Sequence, residues 1–157
     1  MRPVADIDRG FRRVLRALRQ YQRGPNVTVG IQGTEASAPR EFGQTNVKLA
    51  AVHEFGSRDG RIPQRSFIRA TVDRERGLIH TLLQRAAHDA AATGNAARGL
   101  GVVGEKVQAK MVQTIDQSIG LKPLTRAGIR SKKKPGTKPL IDTGQLKGAI
   151  SWKVHGA

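Results

Sequence analysis

His53 and Glu54 are the residues that most directly suggest catalysis, because zinc proteases place a histidine ligand and a glutamate base side by side on a helix. That motif needs a second histidine four positions after the first, on the same helical face, and position 57 is Ser57. We therefore interpret His53 as a structural or helix-capping residue. The other histidines are scattered along the chain, at His80, His88 and His155.

Two further patterns have a simpler structural explanation. The dinucleotide-like spacing Gly99-x-Gly101-x-x-Gly104 follows a predicted helix rather than a strand, and no βαβ unit surrounds it. Asp142 begins the segment 142–145 and is predicted to cap a short helix rather than to act as an acid. The sequence has no phosphate loop, EF-hand loop or cysteine, which excludes thiol chemistry and cysteine-bound zinc. We expect neither enzymatic activity nor a cofactor.

The densest charge lies in residues 121–139, a segment with three prolines, two glycines and few apolar side chains. We expect it to be mobile when unbound, and residues 126–138 to contact phosphates or an acidic neighbour on assembly. The alternative is a solvated flexible loop. A single-strand binder would also need aromatic stacking platforms, and aromatic residues are only 4% of the chain. The predicted contact residues are Arg126, Arg130, Lys132, Lys133, Lys134 and Lys138.

Charge and composition limit the partners and the compartment. The net charge of +16 opposes compaction of an isolated monomer and favours acidic surfaces or nucleic acid as neighbours. The hydrophobic fraction of 38% predicts a thin core, completed by burial against other subunits. No apolar run approaches the roughly 20 residues of a membrane span, and the N-terminus lacks a signal-peptide core. We expect a cytoplasmic protein without a membrane partner.

The elements that position these residues follow from hydrophobic spacing. An N-terminal amphipathic helix over residues 3–23 carries a basic face, and the polar residues 32–45 are predicted to form a second mobile loop. Pairing of two predicted strands closes a small antiparallel sheet against two long helices. The chain is therefore predicted to be a single α+β domain over residues 1–157. The strands are predicted at 27–31 and 150–154, and the later helices at 47–55, from Ser66 or Arg69 to 93, at 95–119 and at 142–149.

The stretch from residue 49 to 69 is predicted to be the turn around which the chain is organised. Gly56 ends the helix before it, since a left-handed backbone costs glycine nothing, and Pro63 makes Ile62 extended. Apolar residues after the proline anchor the next helix. The predicted structural turn comprises His53, Glu54, Phe55, Gly56, Ile62, Pro63 and Phe67.

Three blocks occur in order along the chain: HEFG at 53–56, IPQRSFI at 62–68 and PLIDTGQL at 139–146. Their order and spacing resemble those of tailed-bacteriophage tail-completion and virion-morphogenesis proteins, the small neck components that include the minor tail protein Z type. The family pattern usually has a second proline where this chain has Ser66, so the turn is expected to be looser. The late motif comprises Pro139, Leu140, Asp142, Thr143, Gly144 and Leu146.

The resemblance implies a structural protein of the virion head-to-tail junction, assembled in the cytoplasm of the bacterial host. It implies a six-fold ring of this chain between portal-side connector or stopper proteins and the tail terminator or tail tube. The charge adds an expected non-specific contact with genomic DNA in the lumen. The competing hypotheses are a stand-alone basic nucleic-acid-binding protein and a hydrolase that uses His53 and Glu54.

Overall fold

Two long helices and a two-stranded antiparallel sheet organise the computed structural model, which describes residues 11–22, 24–39, 43–130, 132, 136–141 and 144–156. The predicted α+β class is confirmed. The N-terminal helix begins at Phe11 in the described part, and the rest of its predicted range lies outside it. The elements are α1 (Phe11–Gln22), β1 (Asn26–Ile31), α2 (Thr34–Ser37), α3 (Asn46–Phe55), α4 (Phe67–Arg74), α5 (Arg76–Thr93), α6 (Ala96–Gln117), α7 (Arg126–Arg130), α8 (Gln145–Gly148) and β2 (Ile150–His155).

The sheet pairs β1 with β2 in the predicted antiparallel arrangement, with a register from Asn26 opposite His155 to Ile31 opposite Ile150. Alternate side chains of a strand point to the same face, and one face of this sheet packs on α6. The residues on that face that contact the core are Val27, Val29, Ile31, Ile150 and Val154.

Helix α6 supplies the centre of the core. Its predicted apolar stripe is buried along nearly its whole length, with Met111 and Ile115 fully enclosed. The opposite wall comes from α3, α4 and α5 through Ala50, Phe67 and Ala86. The other buried members of the stripe are Leu100, Val103 and Val107.

The glycines of α6 are explained by close packing. A Cβ atom on Gly99 would lie 2.7 Å from the Cα of Ala86, so only a glycine lets α5 approach α6 so closely at this point. A Cβ on Gly104 would lie 2.9 Å from the indole ring of Trp152, which covers α6 from β2. The dinucleotide-like spacing of these glycines therefore arises from packing against a helix and a tryptophan.

Two helix boundaries differ from the sequence prediction. The single helix predicted up to residue 93 is interrupted at Glu75 (φ −92°, ψ 12°), which separates α4 from α5, and both helices pack on α6. The second long helix ends at Gln117 rather than at Ile119, since Ser118 adopts a left-handed conformation. This turn brings Leu121 back into the core.

The two segments predicted to be loops contain short secondary-structure elements. Residues 32–45 include α2 and an isolated bridge between Pro39 and Thr45, and residues 121–139 include α7. Thr45 is the N-cap of α3, and its side chain accepts a hydrogen bond from the Lys48 N–H. Val72 on α4 and Leu83 on α5 are apolar residues that are nevertheless exposed, at 39% and 42%.

Candidate functional site

Glu54 lies at the centre of the turn between α3 and α4. Its carboxylate is buried, with the residue only 6% exposed, and accepts hydrogen bonds from the backbone N–H groups of Ile68 and Arg69, each at 3.0 Å. These N–H groups belong to the first turn of α4, where they have no partner within the helix. The negative charge also interacts favourably with the positive end of the helix dipole. Glu54 therefore caps α4 from the preceding helix.

The backbone of the same turn is held by its own side chains. Ser66 Oγ and Gln64 Nε2 both donate to the Glu54 carbonyl, at 2.7 and 3.0 Å, and the Arg65 N–H donates to the His53 carbonyl at 2.7 Å. Ser66 thus adds a hydrogen bond to the turn that was expected to be looser at this position.

Gly56 has φ 83°, as expected for a glycine after a helix, but its ψ of 163° is extended rather than left-handed. A Cβ atom there would lie 3.3 Å from the Ile62 carbonyl oxygen and from the Gln64 nitrogen. The glycine therefore lets the two sides of the turn approach each other closely.

A small polar loop projects from the turn. Ser57 Oγ donates to Asp59 Oδ1 at 2.6 Å, and the Arg61 N–H donates to the same oxygen at 3.2 Å. These bonds, the one from Ser57 first, lower the pKa of Asp59 below its ordinary value of 3.8. The Ile62 N–H in turn donates to Ser57 Oγ at 2.8 Å, which closes the loop.

Arg65 joins this turn to the basic segment, which we define as residues 122–138. Its side chain is buried, and burial lowers the pKa of its guanidinium. Nε donates to the Lys122 carbonyl at 2.7 Å, and an Nη donates to the Pro123 carbonyl at 3.0 Å. Sequence reasoning missed this role, since no local pattern separates Arg65 from the other arginines of the chain.

The far end of the basic segment is also attached to the protein. Lys138 Nζ donates to the Asp116 carbonyl at 2.8 Å, near the C-terminal end of α6, and Lys147 pairs with the Asp116 carboxylate at 2.9 Å. Lys132 Nζ donates to the Lys138 carbonyl at 3.0 Å. Two of the predicted partner-contact lysines are thus engaged within the chain. Lys133 and Lys134 lie outside the described residues.

Arg126 and Arg130, two further members of the predicted contact set, are exposed to solvent. They begin and end α7, and within the described residues neither guanidinium pairs with a carboxylate. Lys122, at the start of the segment, is exposed as well. Three cations, four residues apart in sequence, therefore remain available for an anionic partner.

The late motif brings the third block to the same region. Pro139 and Leu146 are buried, and Leu140 packs against the core. Helix α8 begins at Gln145 with Gly144 as its N-cap, which offers no side-chain cap; Asp142 and Thr143 lie outside the described residues. Phe67 of the second block and Leu146 of the third share a single core cluster, which also contains Ala50, three residues before the first block.

Chemistry-bearing groups do not converge in the described part of the chain. No three or more His, Asp or Glu residues there are placed to hold a metal ion. An open cleft of ≈ 360 Å³ lies beside the turn, lined by residues that include Arg69, Asp73 and Lys122. Both carboxylate oxygens of Glu54 are engaged by backbone N–H groups. Within the same residues, no helix has the length and apolar character needed to cross a membrane.

Helix α3 has an orientation that the sequence analysis did not predict. Phe55 was placed in the structural turn, yet it is 72% exposed, and Ile62 is also exposed at the other side of the turn. Val47 is 45% exposed, and Ala51 lies between Val47 and Phe55 on the same face. The spacing of four residues between Val47, Ala51 and Phe55 indicates that they share one face of the helix, but it does not show whether that face is buried or exposed.

Comparison of the chain with protein-family models, with curated proteins and with solved structures finds no match in any of the three. Function is therefore inferred from the contacts described above and from the resemblance in three sequence blocks.

Proposed function

We propose that this chain is a structural subunit of a tailed-bacteriophage neck, which completes the tail and joins it to the head as part of a ring. The observation that carries the proposal is that the three resembling blocks contact one another: Glu54 of the first accepts a hydrogen bond from the Ile68 N–H of the second, and Phe67 of the second shares a core cluster with Leu146 of the third. Packing of the blocks against one another is what a shared structural role would require, and it supports the proposal.

The contacts of these blocks support a structural role for them. Glu54 caps α4, Phe67 is fully buried beneath the turn, and Leu146 closes the core from α8. A general base needs a carboxylate that can reach a substrate proton, whereas both oxygens of Glu54 are held by backbone groups.

The surface supports assembly with other proteins and with DNA. An apolar face on α3 and the exposed cations of the basic segment lie on different elements, so a subunit can contact a neighbour and an anion at the same time. In the proposed ring, the portal-side connector or stopper lies on one side and the tail terminator or tube on the other. The basic segment then contacts either genomic DNA or an acidic ring.

Native mass spectrometry of the complex isolated from assembled particles tests the ring. A chain of 17.0 kDa gives a hexamer of about 100 kDa. Electron microscopy of particles assembled without this chain tests the function: filled heads and separate tails are expected, and addition of the purified protein should join them. Normal joined particles without the chain would contradict the proposal.

A stand-alone basic nucleic-acid-binding protein is the second candidate, favoured by the exposed Lys122, Arg126 and Arg130 and by the absence of acidic residues from the basic segment. A monomer whose affinity for duplex DNA falls by orders of magnitude between about 50 and 200 mM salt would favour this function. A hexamer with weak duplex binding would favour the neck subunit.

A further inference from the structure

Helix α3 is oriented with polar residues inside and apolar residues outside. Its buried side consists of Asn46, Ala50 and Glu54, while Val47 and Phe55 are exposed. The buried polar groups are satisfied: Asn46 Nδ2 donates to the Glu35 carbonyl at 2.7 Å, and Glu54 caps α4. Because the inner face of this ten-residue helix makes polar contacts, its apolar face stays exposed and is available to a partner outside the described residues.

We propose that this face, which we call the α3 stripe (Val47, Ala51 and Phe55), is a contact between two copies of the chain. In the contact, the α3 helices of two copies pack antiparallel about a two-fold axis that passes beside Ala51. The proposal goes beyond the ring and does not depend on it, because it concerns the free protein in solution.

The stripe is complementary to itself in shape. Its residues are four apart, so they lie along one side of the helix over about 12 Å, with the smallest side chain in the middle. When two such helices run antiparallel, Ala51 faces Ala51 of the other copy and lets the backbones approach. Val47 of each copy then packs on Phe55 of the other, which covers the most exposed aromatic ring of the described chain.

The charges beside the stripe fit the same arrangement. Lys48 lies at the N-terminal end of the stripe and is exposed. In an antiparallel pair it lies beside the C-terminal end of the other α3, where the helix dipole favours a cation. The exposed Asp59 follows that end in the polar loop, where it is already paired with Arg61 at 3.3 Å, so the favourable charge interaction of Lys48 is with the helix end itself. A parallel pair would instead place the two Lys48 side chains together.

The contact is expected to be weak on its own. Three residues on a ten-residue helix cover less than the 1,200–2,000 Å² typical of stable interfaces. Two copies of a chain with net charge +16 also repel each other. Added salt screens that repulsion and strengthens apolar association, so dimerisation should rise with salt, whereas binding to DNA should fall.

Sedimentation equilibrium over about 1 to 500 µM protein tests the contact. Wild-type chain should form dimers with increasing concentration, more strongly at high salt, and Phe55→Ser should weaken the dimer by about a hundredfold because each contact contains two Phe55 rings. Ile129→Ser is the matched control, since Ile129 is an exposed apolar residue on α7, and it should dimerise like the wild type. Wild-type monomers at the highest concentration and salt, or unchanged dimerisation of Phe55→Ser, would overturn the proposal.

A disulfide tests the two-fold geometry separately from the ring. The chain has no cysteine, so Ala51→Cys introduces a single thiol that should meet its copy at the axis and form a covalent dimer under mild oxidation. Ile129→Cys, away from the stripe, should cross-link much more slowly. Equal cross-linking of the two variants would refute the antiparallel contact, and this outcome leaves the neck function untouched.

Discussion

Replacement of Glu54 by glutamine tests the central turn. The carboxylate accepts two backbone hydrogen bonds at 3.0 Å, from Ile68 to one oxygen and from Arg69 to the other. Glutamine keeps the shape but has only one acceptor oxygen, so one N–H at the start of α4 faces an amide NH₂ group instead. The substitution also removes the charge that interacts with the helix dipole.

The magnitude follows from these losses. Loss of a helix cap costs about 0.5–2 kcal/mol, and a buried unsatisfied donor costs about 1–3 kcal/mol. The two terms overlap, because they describe the same N–H group, and relief of the buried charge offsets part of them. We expect the free energy of unfolding to fall by about 2 kcal/mol, which corresponds to a decrease in Tm of roughly 4–8 °C for a domain of this size.

Urea unfolding followed by circular dichroism measures the change, with Glu105→Gln as the control. Glu105 is an exposed acidic residue on α6, and its substitution should alter stability by less than about 0.5 kcal/mol. Equal stability of the two variants would refute the capping role of Glu54. Loss of a measurable turnover in a fully stable Glu54→Gln chain would instead revive the hydrolase hypothesis.

Three further predictions concern packing, protonation and the anchoring of the basic segment. Gly99→Ala should lower the free energy of unfolding by about 1–2 kcal/mol, because its Cβ would lie 2.7 Å from the backbone of α5. Gly77→Ala is the control: Gly77 lies in open space on α5, so the substitution should raise the free energy of unfolding by up to about 1 kcal/mol. Thermal unfolding measures both changes. NMR titration of Asp59 should give a pKa below 3.8. The contribution of the Asp59 carboxylate to stability is therefore present above pH 3.8 and lost as the pH falls through the lowered pKa. Ser57→Ala should move the pKa of Asp59 back towards 3.8, and an unchanged pKa would contradict the assigned cause. Arg65→Met leaves two carbonyl groups without their donors and should speed tryptic cleavage of the basic segment at least several-fold, measured by mass spectrometry; an unchanged cleavage rate would show that other contacts hold the segment.

Most of the secondary structure could be predicted from local signals. Thr45 and Asn95 cap α3 and α6 with their side chains, and Gly94 ends α5 in a left-handed conformation, all as their residue types predict. The two strands follow from alternation of apolar residues in short segments. These features depend on a few neighbouring residues, so the sequence carries the whole signal.

The break at Glu75 and the left-handed Ser118 could not be read from the sequence. The helix is interrupted at Glu75, with α4 and α5 on either side both packed on α6, and at Ser118 the chain turns so that Leu121 reaches the core. Neither residue type favours a helix end strongly, so the decision depends on partners distant in sequence. The role of Arg65 could not be read from the sequence either, because it depends on hydrogen bonds to two carbonyl groups of the basic segment, which is distant in sequence.

The sequence by itself determined the helices, the strands, the excess of positive charge and the positions of the three blocks. Only the tertiary structure decided which side of α3 is buried. Helical spacing groups Asn46 with Glu54 and Val47 with Phe55, but burial of either side is possible until partners for the polar side are known. The Glu35 carbonyl and the first turn of α4 supply those partners, so the polar side faces inward and the apolar stripe remains at the surface.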